Sequence, residues 1–290
     1  MKALIFGING QDGKYLKEIL QSKSIEVIGV ARSNGNWISG NISDFAFVSK
    51  LINDYKPDYV FHLAANSSTS HEFLFENHET ISTGTLNILE SVKKYAPQAR
   101  VFITGSGVQF KNNSLPIKET DEFEASSPYS ISRIQSVYAA RYYRNLGLKT
   151  FVGYLFHHES PYRKDHHISK LTTNFIKGIS LDTNHKLKLG DIEVKKEWAF
   201  AKDIAEGIFT LVNQDKVFEA TIGTGKIHSI KDWLISCFQL KDLKWQDYIE
   251  CTDNNFKPEY KILQSNPETI LSLGWKPKTN LEQLAQIMME

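Results

Sequence analysis

The chain has 290 residues, 41% of them apolar and 23% charged, with a formal net charge of +1. That length can bury a large core as one domain or two packed lobes, and a near-neutral balance supplies no field that would gather nucleic acid or an anionic membrane. Cys237 and Cys251 lack metal-type spacing, so a cytoplasmic location is expected; the opening residues read as a strand and not a signal peptide, and no run approaches the ~18 apolar residues of a membrane span.

Ala3-Leu4-Ile5-Phe6 has the length and content of a buried strand. Gly7-Ile8-Asn9-Gly10-Gln11-Asp12-Gly13 follows, and then apolar residues at 15, 16, 19 and 20 make one face of a helix. Strand, glycine turn and helix form the context in which a glycine pattern predicts a dinucleotide site. Gly7 permits the tight turn, Gly10 lets backbone approach a pyrophosphate, and Gly13 lets the helix lie close on the sheet. The phosphates would meet N–H groups at the positive end of that helix. An ordinary glycine-rich turn is the alternative.

A second strand, Ile25 to Ala31, ends at Arg32-Ser33. An acidic residue there would bind the ribose hydroxyls of NAD, whereas an arginine accommodates a 2′-phosphate, so Arg32 favours NADP; a solvated strand-end arginine is the alternative. Asn41-Ile42-Ser43-Asp44 predicts a strand end turning into a helix over 44–54, with Ser43 or Asp44 as N-cap. That helix must stop before Pro57. Residues 58–65 predict a buried strand whose small Ala64 and Ala65 leave room for a cofactor, and a helix over 77–95 and a strand over 100–105 follow. Strands alternating with helices imply a parallel, doubly wound α/β sheet.

Ser106 stands just past the C-terminal end of the 100–105 strand, where open α/β sheets place ligands. Ser127-Pro128 opens a helix to Asn145, on which Tyr129 and Arg133 lie one turn apart. A cation beside a phenol favours the phenolate, which suits Tyr129 to giving and taking a proton; a plain surface contact is the alternative. Beyond 151, short strands mix with helices over 168–180, 203–213 and 230–240. His157, His158, His166 and His167 lie near Glu159 without the i, i+4 helical spacing of a zincin motif, so no metal is expected. Tyr138, Tyr142 and Tyr143 sit at helical spacing and read as core or as a helix-pairing surface.

The matching segments run nearly end to end: Gly10-Gln11-Asp12-Gly13, Lys56 to Ala65, Leu155-Phe156-His157-His158-Glu159-Ser160-Pro161, Leu189-Gly190-Asp191 through Lys202-Asp203, Phe256-Lys257-Pro258-Glu259 and Leu273 to Pro277. On these the chain resembles the extended short-chain dehydrogenases, within them the GDP-mannose 4,6-dehydratase and GDP-4-keto-6-deoxymannose reductase group. The resemblance implies a Rossmann-type dinucleotide-binding domain over 1–155 and a smaller α/β nucleotide-sugar lobe over 156–290, with interleaved segments. It implies NADP, or NAD, bound by Gly7, Gly10, Gln11, Asp12, Gly13, Arg32, Asn41, Ile42, Leu63, Ala64, Ala65, Tyr129 and Arg133. Ser106, Tyr129 and Arg133 fall where the family has its catalytic Ser/Thr, Tyr and Lys. His157, Glu159, Lys170, Lys196, Lys257 and Glu259 fall among substrate contacts, and a homodimer is implied.

Several positions depart from the family pattern. Val108 replaces the dehydratase glutamate that handles the C5 proton, and Ile81 and His157 each replace an asparagine. Lys196 and Lys257 replace arginines, and Arg133 replaces a lysine. The expected function is therefore hydride transfer at C4 of a GDP-linked sugar, as reduction of a 4-keto sugar. The alternatives are a 4,6-dehydratase with another acid/base, a C4 dehydrogenase or epimerase, and a catalytically weakened nucleotide-binding protein.

Overall fold

The computed structural model describes residues 1–179, 186–252 and 259–290. Strand β1 (Lys2–Phe6) is buried along nearly its whole length, and α1 (Gln11–Ser22) turns Tyr15, Leu16, Ile19 and Leu20 inward. β2 (Glu26–Ala31) and the short β3 (Ile38–Ser39) lead to α2 (Phe45–Tyr55). Asp44 is the cap of α2, its carboxylate accepting from Phe47 N, and the helix closes at a left-handed Lys56 just before Pro57. After β4 (Tyr59–His62) the chain forms α3 (Leu74–Asn77), a π-helical turn over His78–Thr83, and α4 (Gly84–Tyr95).

The expected single helix over 77–95 is thus widened in its first turns. Side chains stabilise the widening: the Ile81 carbonyl accepts from Thr85 Oγ1 and Ser136 Oγ and faces His62 Nε2 at 3.3 Å. Partners of this kind satisfy a carbonyl displaced from the regular ladder. β5 (Arg100–Ser106) precedes α5 (Pro128–Asn145), which starts with a Ser127/Ser130 capping box and a proline in its first turn. β6 (Lys149–Leu155) ends the first pass across the sheet.

The chain then runs through β7 (His158–Glu159), α6 (Ile168–Lys177), β8 (Leu187–Leu189), β9 (Lys195–Glu197), β10 (Ala199–Phe200), α7 (Ala201–Val212) and β11 (Glu219–Ile222). It finishes with β12 (Ile227–Ser229), α8 (Ile230–Gln239), β13 (Ile249–Cys251), β14 (Ile262–Leu263), α9 (Glu268–Ser272) and α10 (Leu281–Met289). The large sheet has the order β11-β6-β5-β4-β1-β2-β3, with every neighbouring pair parallel. From β1 the chain winds outward to β3, then returns to the other side of β1 and winds through β4 to β6. The reversal falls between β1 and β4, which is where an open α/β sheet leaves its ligand crevice.

Alternate side chains of the strands feed two cores. Ile5, Phe61, Phe102 and Phe151 meet Leu16 and Ile208 on one face, while Leu4, Val60, Val101 and Val152 meet Ile52, Ile88 and Val137 on the other. A third core gathers around stacked Trp198 and Trp233 with Leu234, Phe238 and Leu284. Three small sheets are formed among the described residues, and α7 and β11 return to the large sheet. Among the described residues no helix is long and apolar enough to cross a membrane.

Candidate active site

A cleft of about 590 Å³ opens over the C-terminal ends of β1, β2, β4, β5 and β6. Its floor is the glycine turn. Gly7 has φ +95°, and a Cβ there would lie 2.7 Å from Ala64 N; a Cβ on Gly13 would lie 2.4 Å from Gly7 O. Gly10 is different: a Cβ there would meet only Gly7 O at 3.4 Å, because its open side is the cleft. Gly10 also N-caps α1 without a side-chain bond, so the first-turn amides are left for an anion. A dinucleotide pyrophosphate fits this cradle. Ile42, Leu63, Ala64, Ala65 and Arg32 line the same cleft. Asn41 does not: its side chain turns back to accept from Ser43 N, as a turn residue does.

Ser106, Val108, Tyr129 and Arg133 stand together in the cleft. Ser106 is the last residue of β5, and its hydroxyl caps the short turn that follows, 3.5 Å from Val108 N. Arg133 is buried, donates from Nη1 to Thr104 O at 2.6 Å, and holds its guanidinium 5.0 Å from the Tyr129 ring centroid. The cation therefore covers the phenol face while anchored on β5. Beneath it the buried His62 imidazole is pushed down to about 3 by burial and by Arg133, and stays neutral.

The other wall is built on charge. His157 and His158 project from the β6–β7 segment, and each has a carboxylate. His158 Nε2 lies 2.9 Å from Asp12 Oδ1, and His157 Nε2 lies 2.8 Å from Glu159 Oε1. Burial opposes charge on His158, yet Asp12 outweighs it and raises the imidazole; the same pairing lowers Asp12 against its own burial. Glu159 is fully buried and accepts from Ser169 Oγ at 2.7 Å, with Arg163 Nε 3.4 Å away. Burial would raise its carboxyl, but His157, Arg163 and Lys196 hold it well below its ordinary value. Burial and the neighbouring Lys196 pull His157 down to about 4, and Lys196 itself falls to about 8, chiefly through burial.

Of the substrate contacts implied by the family, His157, Lys196 and Glu259 line the cleft, and burial raises the Glu259 carboxyl. Glu159 does not line it. With no solvent exposure it acts from behind, as the counter-ion of Arg163 and the acceptor that holds the His157 imidazole. Lys170 is not part of the cleft lining either, since it sits on α6 beyond Ser169, the residue that turns inward to Glu159. Lys257 lies outside the described residues. Gln11 faces the cleft but binds protein, donating to His158 O and accepting from Ser160 Oγ. Sequence reasoning singled out His167, which lines this wall, and missed Tyr162, Arg163 and Lys164. Arg163, four residues past Glu159, was the one available signal.

The chain is similar to known proteins along nearly its whole length. The family model described as GDP-mannose 4,6 dehydratase matches residues 4–288. "GDP-mannose 4,6 dehydratase 1" of Arabidopsis thaliana is 30% identical over 319 residues, covering 99% of this chain and 88% of that protein. The GDP-mannose 4,6 dehydratase of Homo sapiens is 27% identical over 334 residues, covering 99% and 90%. Among solved structures, the UDP-glucose 4-epimerase of Thermus thermophilus in complex with NAD superposes with a TM-score of 0.87 at 18% identity, covering 100% of this chain and 98% of that one. The dTDP-glucose 4,6-dehydratase of Bacillus anthracis in complex with NAD superposes at 0.85 and 21%, covering 100% and 95%. Those two likenesses establish the fold. With the glycine cradle, the Ser106–Tyr129–Arg133 group and a family match spanning nearly the whole length, the chain belongs to the GDP-mannose 4,6-dehydratase family of short-chain dehydrogenase/reductase enzymes.

Proposed function

We propose that this enzyme reduces a 4-keto group on a GDP-linked sugar, with NADP as its nicotinamide cofactor. Val108 carries the choice of reduction over dehydration. It lines the same cleft as Tyr129, two residues past Ser106, where the family resemblance implies the dehydratase glutamate, and a valine has no proton to exchange at C5. The names of the relatives support a GDP-linked sugar, and Arg32 at the end of β2 supports a 2′-phosphorylated cofactor.

When bound, the nicotinamide supplies the hydride that goes to C4. The chain does the rest. The Tyr129 hydroxyl gives its proton to the sugar oxygen as the carbonyl becomes an alcohol. Ser106 Oγ donates to the same oxygen and stabilises the negative charge that builds there. Arg133, fixed on Thr104 O, keeps its guanidinium against the Tyr129 ring and so holds the phenol in position. Arg163 and Lys196 present cations to the diphosphate, and Glu259 contacts the nucleotide. Loss of reduced-nicotinamide absorbance with GDP-4-keto-6-deoxymannose tests the assignment. Tyr129→Phe should lower turnover by about 10²- to 10⁴-fold, the usual worth of a general acid; unchanged turnover would remove Tyr129 from the reaction.

One observation favours a second reading, 4,6-dehydration of GDP-mannose. Glu259 is a cleft carboxyl raised by burial, as suits an acid/base group. Mass analysis separates the two, since only dehydration loses water. The exposed Ile131, Tyr138 and Tyr142 along α5 further support a homodimer, which light scattering of the purified protein would test.

A further inference from the structure

Arg32 is already engaged. Its Nη2 donates to Glu76 Oε1 at 2.8 Å, and the other oxygen of Glu76 accepts from Asn66 Nδ2 at 3.1 Å. Arg32 follows β2 and Asn66 follows β4, and β1 lies between those two strands in the sheet. The three side chains therefore form a clasp from one side of the glycine turn to the other, closed by a single carboxylate on α3. Arg32, Ala65 and Ser67 line the cleft on either side of it. A further bond from Asn9 Nδ2 to Ser33 Oγ ties the glycine turn to the Arg32 side. The Glu76 side chain is about one-third exposed and that of Arg32 about half exposed; Arg32, then Asn66, holds the carboxyl of Glu76 below its ordinary value, so it is ionised at neutral pH.

We propose that Glu76 is the specificity-determining residue for the dinucleotide, because it occupies Arg32 with a carboxylate that a 2′-phosphate must displace or lie against. The inference rests on the cofactor reading given above and adds the group that opposes it. A ribose 2′-hydroxyl carries no charge, so the clasp can stay closed over NAD. A 2′-phosphate brings about two negative charges to a guanidinium already neutralised at 2.8 Å. Arg32 draws NADP in and Glu76 limits how far; the balance between them sets the preference.

Equilibrium titration of the full-length protein with NADPH and with NADH, without any sugar, tests this. Glu76→Gln keeps an oxygen for Asn66 and removes the charge. NADPH should then bind about fivefold tighter, the upper end for a partly exposed ion pair, while NADH changes by less than about twofold. The gain should shrink at high salt and vanish in the Arg32→Ala background, a readout that a merely structural role of Glu76 would not move. An unchanged NADPH-to-NADH ratio in Glu76→Gln, or a shift that persists without Arg32, overturns the inference and leaves the cofactor reading standing. If wild-type protein binds neither dinucleotide, the cofactor reading itself fails and takes the inference with it.

Discussion

The two walls of the cleft are made of different material. The wall that carries the glycine turn is backbone: a turn whose glycines leave no room for a Cβ at Gly7 or Gly13 and open space at Gly10. The facing wall is side-chain charge: the buried carboxylate of Glu159 with His157, Arg163 and Lys196 around it. A backbone cradle is specified by steric exclusion and fails when an atom is added. A buried charge cluster is specified by balance and fails when a counter-ion is removed. The two are joined where Asp12 of the glycine turn meets His158 of β7.

The sharpest way to break this contrast is Glu159→Ala, which leaves the Arg163 and Lys196 cations without their buried counter-ion and the His157 imidazole without its partner. The expected loss is about 3–5 kcal/mol of stability, read as a lowered thermal midpoint at neutral pH. A variant that melts with wild type would mean that the cluster carries no balanced charge. Gly13→Ala attacks the other wall. Its methyl would lie 2.4 Å from Gly7 O and 2.7 Å from Ile8 Cα, so the turn must shift, at a cost of about 1–3 kcal/mol. Dinucleotide titration should show affinity falling with it, and retained affinity would mean that the turn has slack.

The smallest effect belongs to the joint. His158 is raised above its ordinary value by Asp12, so its contribution is fully present below the unfolded imidazole value of about 6.5. It is lost as the pH rises through the raised folded value. Stability of wild type relative to His158→Asn should therefore decline from pH 6 towards alkaline pH, by about 1 kcal/mol or less. A difference that grows with pH would reverse the sign and exclude the Asp12–His158 ion pair as its source.

Much of the molecule is legible along the chain. The strand–turn–helix at residues 2–22, the Asp44 cap, the stop before Pro57, the start of α5 at Ser127-Pro128 and the position of Ser106 at a strand end all rest on neighbours within a few residues. Where longer-range partners act, that local reading fails. The π turn at His78–Thr83 follows from Thr85, Ser136 and His62 converging on one carbonyl, and the last two come from other elements. Lys170 carries the right charge in the right segment, yet α6 turns Ser169 and not Lys170 towards Glu159.

Backbone conformation, capping and the apolar period are properties of adjacent residues, so the parallel sheet, its glycine cradle and the Tyr129–Arg133 helix could be read before any fold was known. Charge compensation in a buried site depends on distance through space. Only folding brings Asp12 to His158, Glu76 to Arg32, and Lys196 to Glu159, over separations in sequence that no local pattern reports. Whether a histidine is neutral, whether a glutamate lines the cleft or backs a residue that does, and whether an arginine is already paired are settled there, because burial and the nearest opposite charge decide each one.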